Sequence, residues 1–380
     1  MKVLITGTHF TPAVAVLKEF KKRKSIEIVY VGRKTTLEGD LSQSVESKIF
    51  PNLGVKFISI ITGRLQRNFT LYTIPSVLKL PIGFIQSIYI ILSEKPDVIL
   101  SFGGYVSVPI VIAGWLFSVP IIIHEQTVVS GLANKISAIF ASRVALSFDT
   151  DSNSGKKNVL ITGNPIREEI KFFNKFELAF EYKEIFRKAK AEKLPVILVI
   201  GGNQGSHTIN LIIEKCLPDL SKIGYVIHQT GDSKFKDFER LQESQNEQVL
   251  SFGNKKYLVK KWIGKEVGKV LSKVDMVISR AGINTLSELA FLGKPALVIP
   301  FEPLYQDEQN KNAKYFEKFG LVKILPQKKL SSKNLVGNIK IVLNNLNSFK
   351  EKAEQARKAI IPDAAERLAL ETVILSNDNK

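Results

Sequence analysis

Residues 279–300, SRAGINTLSELAFLGKPALVIP, combine an apolar strand, a tight turn and a helix start within a few positions. The turn at Ser279 to Gly282 leaves backbone N–H groups free at a helix N-terminus, where phosphates and sugars bind. Thr285 to Glu288 also matches a capping box, in which Glu288 would accept a hydrogen bond from a backbone N–H at the start of its own helix and would have no ligand-binding role. The segment therefore predicts either a ligand-binding helix end or an ordinary cap.

Glycines follow three other predicted strands, at Gly7, at Gly103 and Gly104, and at 201–205. In doubly wound sheets, ligands bind outside the carboxyl ends of the strands. A single glycine there can serve turn geometry alone. Three such loops on the same type of edge favour backbone contacts to phosphate or carbonyl oxygens.

Short β-rich runs alternate with helical stretches along the chain, which predicts an α/β fold with parallel sheets covered on both faces. The predicted strands are 2–6, 27–32, 55–60, 97–102, 120–125 and 143–148, then 159–162, 195–202, 225–230, 249–252, 275–280, 295–300 and 322–326. A polar, turn-rich linker at 149–158 separates the two series. We predict domains at 1–160 and 161–348, followed by a C-terminal helix and tail at 349–380.

The composition agrees with a large globular chain and an anionic partner. At 380 residues, two hydrophobic cores are the default expectation. One cysteine, Cys216, excludes a disulfide framework and a cysteine-based zinc site, which favours the cytosol. The formal charge of +18 points to nucleic acid, a membrane surface or phosphorylated substrates, but no nucleic-acid motif is present.

The apolar tracts are interrupted, so we expect buried elements rather than membrane spans. Pro109 and Pro120 bracket a helix of about ten residues within 106–123. Proline and lysine break up residues 69–94, although 70–93 can lie on a bilayer as an amphipathic patch. The opening MKVLITG runs straight into a strand and lacks the features of a secretory signal.

Several motifs together resemble the MurG glycosyltransferases, which transfer N-acetylglucosamine from its UDP conjugate to lipid-linked muramyl pentapeptide. The matching stretches are TGTHFTPA (6–13), SFGGYVSVP (101–109), HEQT (124–127), GLAN (131–134), TGNPIR (162–167), GGNQGS (201–206), SRAGINTLSELAFLGKPALVIP (279–300) and DEQNKNA (307–313). The resemblance implies the GT-B fold, two Rossmann-like doubly wound domains facing a cleft. The donor would bind the C-terminal half and the acceptor the N-terminal half, and a helix at 349–373 would return to the first domain.

The resemblance also implies a donor site without a metal ion. Glu288 would accept the ribose hydroxyls, Arg167 would meet the departing diphosphate, and the Ile263 backbone would contact uracil. The amides of Gln309 and Asn310 would bind sugar hydroxyls. The full donor-binding set is Thr6, Gly7, Thr8, Thr127, Arg167, Gly202, Asn203, Gln204, Gly205, Ile263, Arg280, Gly282, Ile283, Asn284, Thr285, Leu286, Ser287, Glu288, Gln309 and Asn310.

On the acceptor side, the family pattern implies an inverting attack by a sugar C4 hydroxyl, with His9 as the base. A histidine at such a turn is otherwise a capping or packing residue. The acceptor-side set is Gly103, Gly104, Tyr105, His124, Glu125 and Gln126. Asp149-Thr150-Asp151 spells a metal-binding pattern of another glycosyltransferase fold, but its place in the linker favours a solvated loop.

Thr8, Ser101 and Val108 depart from the family pattern in the acceptor half, whereas the donor half matches that pattern more closely. The leading hypothesis is therefore a divergent lipid II-forming transferase, active at the cytoplasmic face of the membrane as a peripheral protein. Its partners would be the UDP-sugar, a polyprenyl-diphosphate muramyl pentapeptide and anionic lipid. The alternatives are a transferase with another acceptor and a catalytically weak UDP-sugar-binding membrane protein.

Overall fold

The computed structural model describes residues 1–23, 25–35, 43–63, 73–149, 158–202, 205–232, 235–246, 256–302 and 307–378. The chain forms two compact units. The first comprises Met1–Arg167 together with Ile361–Lys380, and the second comprises Glu168–Ile360.

A seven-stranded parallel sheet forms the centre of the first unit. Its strands are β1 (Lys2–Thr6), β2 (Glu27–Gly32), β3 (Lys56–Ser59), β4 (Val98–Ser101), β5 (Ile121–Glu125), β6 (Arg143–Leu146) and β7 (Val159–Ile161), in the order β3-β2-β1-β4-β5-β6-β7. The helices are α1 (Phe10–Lys21), α2 (Val45–Asn52), α3 (Thr73–Glu94), α4 (Ser107–Leu116), α5 (Leu132–Phe140) and, from the chain end, α15 (Ala364–Asn377).

Side chains of β1 alternate between two cores. Val3 and Ile5 pack with α1 and α15 on one face of the sheet. Leu4 packs on the other face with α3 and α4. This alternation follows from the two-residue period of a strand, and the consecutive apolar residues Val3, Leu4 and Ile5 allow the sheet to be covered on both sides.

The second unit contains a six-stranded parallel sheet. Its strands are β8 (Val196–Ile200), β9 (Tyr225–Gln229), β10 (Tyr257–Lys260), β11 (Met276–Ser279), β12 (Ala296–Val298) and β13 (Val322–Ile324), in the order β10-β9-β8-β11-β12-β13. The helices are α6 (Glu168–Lys171), α7 (Phe180–Glu192), α8 (His207–Ile223), α9 (Asp237–Asn246), α10 (Val267–Lys273), α11 (Ile283–Leu292), α12 (Glu308–Glu317), α13 (Ser332–Asn344) and α14 (Leu346–Lys358). Helices α8 and α13 pack on one face through Ile197 and Val199.

Two strands differ from the sequence prediction. Residues 159–162 were assigned to the second series, but β7 pairs with β6, so it extends the first sheet. The strand predicted at 249–252 lies outside the described residues. Strand β10, which the pattern missed, occupies Tyr257–Lys260 and pairs with β9.

The helix predicted at 349–373 is two helices. Helix α14 belongs to the second unit, where the Arg357 guanidinium donates to the Leu292 carbonyl at 3.2 Å. Helix α15 belongs to the first unit and packs against α1. Pro362 lies between them, and proline disfavours helical geometry at the preceding residue and removes a backbone donor.

Among the residues that the structure describes, no helix combines the length and apolar character that a membrane crossing requires. The tract 106–123 forms a ten-residue helix, α4, and the start of the buried strand β5. The predicted helix followed by a buried strand is therefore confirmed, but Pro109 lies in the first turn of α4 rather than before the helix, because proline is tolerated in a first turn.

Candidate functional site

Two glycine loops meet at the carboxyl edge of the first sheet, after β1 and β4. The Thr8 N–H donates to the Gly103 carbonyl at 3.0 Å, and the Tyr30 hydroxyl donates to the Gly7 carbonyl at 2.7 Å. Gly7 has φ +141°, and a Cβ there would lie 2.9 Å from the Gly103 oxygen. Glycine is therefore needed at this position because the two loops touch through their backbones.

Thr8, the main departure from the family pattern, packs against Gly104. A Cβ on Gly104 would lie 2.8 Å from the Thr8 Cγ2, and Gly104 has φ +85°. The threonine side chain thus occupies the space that a side chain at residue 104 would need. Beneath it, the Thr6 hydroxyl is buried and has no hydrogen-bond partner among the described residues.

His9 lies just before α1 and is exposed. Its side chain makes no capping hydrogen bond, so the capping interpretation is wrong. The protein atoms around the ring and the charge of Arg33 both lower the pKa of His9. The imidazole is therefore neutral at neutral pH and able to accept a proton.

His124, on β5, lies in the interior of the first unit. Its Nε2 lies 3.0 Å from the Gly163 carbonyl oxygen and 3.2 Å from the Ser147 hydroxyl. The carbonyl can only accept, so Nε2 carries the proton and donates to it. Burial lowers the pKa of His124 to about 4. The ring is neutral and packs edge-on against Phe102, which suits a shaping role rather than proton exchange.

Glu125 organises the loop between β5 and α5. One carboxylate oxygen accepts from the Thr127 N–H at 3.0 Å and lies 2.7 Å from the Thr127 hydroxyl. The other accepts from the Gly131 N–H at 3.1 Å and the Asn134 amide at 2.9 Å. Glu125 is buried and fixes the start of α5. Its neighbour Gln126 is also buried, and Tyr105 packs against the α3–α4 core.

The glycine loop after β8 lies at the carboxyl edge of the second sheet. Gly202 and Gly205 have φ +88° and +78°, and a Cβ on Gly205 would clash with the Thr230 backbone. Helix α8 starts directly after this turn, which presents free N–H groups at its N-terminus. Asn203 and Gln204, both predicted to line the donor phosphates, lie outside the described residues.

Arg280 ties three loop ends of the second sheet together. Its Nε donates to the Ser206 hydroxyl at 3.0 Å, and Nη1 donates to the Ile299 carbonyl at 3.1 Å and to the Gln327 side chain at 2.7 Å. The guanidinium also lies over the Phe301 ring. Burial lowers the pKa of Arg280 to about 10, so the group remains charged at neutral pH. It therefore places a buried positive charge beside the start of α8.

Helix α11 begins at Ile283 and has Gly282 as its N-cap residue. Asn284, Thr285 and Leu286 consequently lie in the first turn, and Glu288 lies in the second turn, where it is buried. The capping-box interpretation is wrong, because that motif needs Thr285 at the N-cap and Glu288 three residues later. The Ser287 hydroxyl donates back to the Ile283 carbonyl at 2.9 Å.

The backbone of Ile263 is held by a residue that the sequence reasoning missed. Its N–H donates to the Gln229 side-chain oxygen at 3.0 Å. Gln229 is the last residue of β9, and a polar side chain at a strand's carboxyl end was the available signal. The Ile263 N–H is therefore already engaged, which directs any ligand contact toward other atoms of this segment.

Gln309 and Asn310 lie at the start of α12 and contribute to loop structure. The Gln309 oxygen accepts from the Phe301 N–H at 2.8 Å, and the Asn310 amide donates to the Asp307 carboxylate at 2.5 Å. Arg167 is half-buried at the end of the first unit. In the described ranges, no three His, Cys, Asp or Glu side chains cluster as metal ligands would. Thr150 and Asp151 fall outside those ranges.

Both halves of the chain match models of one glycosyltransferase family. Residues 4–146 match the N-terminal domain and residues 196–368 the C-terminal domain of glycosyltransferase family 28. The chain belongs to glycosyltransferase family 28. A curated relative from Clostridium botulinum (strain Kyoto / Type A2) is 34% identical over 92% of both chains. It is named UDP-N-acetylglucosamine--N-acetylmuramyl-(pentapeptide) pyrophosphoryl-undecaprenol N-acetylglucosamine transferase.

A second family 28 relative, from Bacillus thuringiensis subsp. konkukian (strain 97-27), carries the same name followed by the number 2. It is 32% identical over 92% of this chain and 93% of its own. The crystal structure of Acinetobacter baumannii MurG superposes with a TM-score of 0.70, at 22% identity over 98% of this chain and 99% of that one. The predicted GT-B type of fold, with two Rossmann-like parallel-sheet domains, is confirmed.

Within this family 28 chain, the predicted residues gather at one edge of each sheet. Those of the second unit are Gly202, Gly205, Ile263, Arg280, Gly282 to Glu288, Gln309 and Asn310. Five residues of the predicted donor set lie instead in the first unit: Thr6, Gly7, Thr8, Thr127 and, at its boundary, Arg167. Thr6, Gly7 and Thr8 adjoin the Gly103 loop, and Thr127 is bound to Glu125, so these four share the edge of the acceptor-side set.

Proposed function

We propose that this protein transfers N-acetylglucosamine from UDP-N-acetylglucosamine to the C4 hydroxyl of a lipid-linked N-acetylmuramyl pentapeptide, forming lipid II from lipid I. The observation that carries the proposal is the 34% identity, over 92% of both chains, to a relative named for this reaction. The two glycine-lined sheet edges support it, because each offers backbone donors suited to a diphosphate.

In this proposal, the second unit binds the donor at the start of α8 and α11. The N–H groups at the start of α8 and the nearby Arg280 charge favour the diphosphate. Glu288 accepts the ribose hydroxyls, since a carboxylate suits a vicinal diol and repels phosphate. The segment at Ile263, fixed by Gln229, meets the uracil edge.

His9 acts as the base. It takes the proton of the acceptor C4 hydroxyl while that oxygen forms a bond to the anomeric carbon. The bond from the anomeric carbon to UDP breaks on the opposite face, so the configuration inverts. Arg167 and the α8 N-terminus stabilise the negative charge that develops on the leaving diphosphate.

Replacing His9 with Ala tests this role. We expect kcat to fall about 10²- to 10⁴-fold, the usual contribution of a positioned base, while UDP affinity stays within about twofold. Steady-state kinetics and calorimetry measure the two quantities. Lys22→Ala, an exposed change in unit 1, serves as control. Equal rates in His9→Ala and the parent would remove His9 from the mechanism.

Metal-independent transfer is also part of the proposal, because helix N-termini and arginines can replace a cation at the diphosphate. Transfer measured in EDTA should match transfer in magnesium within about twofold. A loss of activity in EDTA that magnesium restores would contradict this.

An apolar face on the first unit supports peripheral membrane attachment. Helix α4 packs against both α3 and α5. Together they expose large apolar side chains, among them Ile85 (66%), Tyr89 (72%) and Ile139 (76%). The other members of this face are Ile82, Leu92, Trp115 and Leu116. Such a patch, on a chain of net charge +18, suits an anionic bilayer surface.

Vesicle binding tests the attachment. The parent should bind vesicles containing anionic lipid at low salt, and the double variant Ile85→Asp, Tyr89→Asp should lose most of that binding. Ile341→Asp, an exposed change on α13 of the second unit, is the matched control and should bind like the parent. If the double variant bound vesicles as well as the parent does, this face would not be the membrane-contacting surface.

The transfer itself is tested with purified lipid I and UDP-N-acetylglucosamine. The expected result is release of UDP together with a disaccharide lipid product. Donor binding without product from this acceptor would overturn the proposed function, and product from a different glycan acceptor alone would reassign its substrate.

A further inference from the structure

A groove of about 580 Å³ runs beside α5 in the first unit. It is bounded by α5, by the strands β5, β6 and β7, and by the loop after β5. The apolar part of its wall includes Val128, Ala138, Ile139, Val144 and Val159. This groove lies outside the residues that the sequence assigned to catalysis or donor binding.

The polar and charged residues that line the groove are Glu125, Ser130, Asn134, Lys135 and Asn158. Glu125 lines it, but both of its carboxylate oxygens already accept hydrogen bonds from the loop and from α5. The Asn134 amide donates to one of those oxygens. The exposed side chain of Lys135 adds a positive charge at the border. An apolar chain with a negatively charged end would match this pattern.

The two ends of the groove lie next to the two regions that a lipid-linked acceptor must reach. At one end, Asn134 adjoins Gly103, so that a Cβ on Gly103 would touch its amide. At the other end, Ile139 belongs to the apolar face of α3, α4 and α5. Asn134 and Ile139 lie five residues apart on α5, about 8 Å along the helix axis.

We propose that this groove binds the diphosphate-proximal part of the acceptor's polyprenyl tail. The inference rests on the proposed function for the identity of the acceptor. The tail lies along α5 between the bilayer-facing apolar side chains and the Gly103 loop, and Lys135 faces the diphosphate end. The groove thereby makes the tail part of substrate recognition, in addition to anchoring the acceptor in the membrane.

Direct binding of a sugar-free probe tests the groove independently of transfer. The probes are a long polyprenyl diphosphate and a short isoprenyl diphosphate, both in the same detergent. The full-length parent should bind the long probe more tightly. Val159→Trp, which fills the groove from β7, should weaken the long probe about tenfold, the loss expected when about two methylene groups lose their contact. Ala138→Phe should act in the same direction from α5.

Ile161→Trp is the matched control, because it also introduces a tryptophan on β7, two residues further along, at a position that does not line the groove. It should bind both probes like the parent, and all variants should bind UDP and anionic vesicles unchanged. Equal affinity of Val159→Trp and the parent for the long probe would overturn the inference. An equal loss of binding for both probes would also overturn it, because the groove would then not distinguish a long tail from a short one. A parent that binds the long probe but forms no product from lipid I would instead count against the proposed function.

Discussion

The carboxyl edges of the two sheets are organised by opposite charges. In the first unit, the buried Glu125 carboxylate collects hydrogen bonds from the loop after β5 and from α5. In the second unit, the buried Arg280 guanidinium donates to the loops after β8, β12 and β13. Similar folds thus fix their binding loops with different chemistry. The positive centre lies in the unit that we assign to the UDP-sugar, where a diphosphate benefits from it.

Removing the negative centre should have the largest effect. Glu125→Ala leaves several buried donors unpaired, so we expect about 5 kcal/mol of destabilisation in the first unit, from hydrogen bonds to a charged group. Each unit has one tryptophan, Trp115 in the first and Trp262 in the second. Urea unfolding of Trp262→Phe protein therefore reports the first unit. An unfolding midpoint like that of the Glu125 parent would show that the carboxylate is dispensable.

Removing the positive centre should act on the second unit. Arg280→Met loses the hydrogen bonds to Ser206, Ile299 and Gln327. The groups left without a donor are carbonyl and hydroxyl oxygens rather than a buried charge, so we expect the free energy of unfolding of the second unit to fall by about 3 kcal/mol. Unfolding is followed by Trp262 in Trp115→Phe protein, and UDP affinity should fall as well. If Arg280→Met changed the unfolding midpoint reported by Trp115 but not the midpoint reported by Trp262, Arg280 would not be the residue that organises the second unit.

Both units should share a sensitivity to acid. Burial lowers the pKa of His124 to about 4 and that of His228 to about 3. Because the unfolded histidines bind protons at about 6.5, stability is present at neutral pH and is lost as pH falls below that value. Between pH 7 and pH 5, each of the two histidines should lower the free energy of unfolding of its unit by about 2 kcal/mol.

The substitutions His124→Gln and His228→Gln separate these two contributions. Each should flatten the pH dependence of its own unit only, as read from the tryptophan of that unit. An unchanged slope in either variant would show that the buried histidine is not responsible.

The smallest effect is expected from Gln229→Leu, which removes the acceptor for the Ile263 N–H. One lost hydrogen bond should cost about 1 kcal/mol and raise the donor KM a few-fold. Transfer kinetics at varied UDP-N-acetylglucosamine measure it, with acceptor KM as the internal control. A larger effect on acceptor KM would place Ile263 outside the donor site.

The sequence predicted the parallel strands and the strand-end positions of the site, because apolar runs and glycine turns carry that information locally. Strand β10 was missed, since YLVK is short and lies among lysines. The sheet membership of β7 depends on its pairing with β6, and pairing over a distance is not visible in a local pattern. The roles of Glu125, Arg280 and Gln229 were hidden for the same reason, as their partners come from other loops.

The most direct test of the central claim, that the second unit holds a UDP-sugar without a metal ion, is titration calorimetry of the full chain with UDP-N-acetylglucosamine. The account predicts binding at one site per chain with the same affinity in EDTA and in magnesium, and weaker binding by Glu288→Gln. Absence of any heat, or binding that requires magnesium, would contradict it.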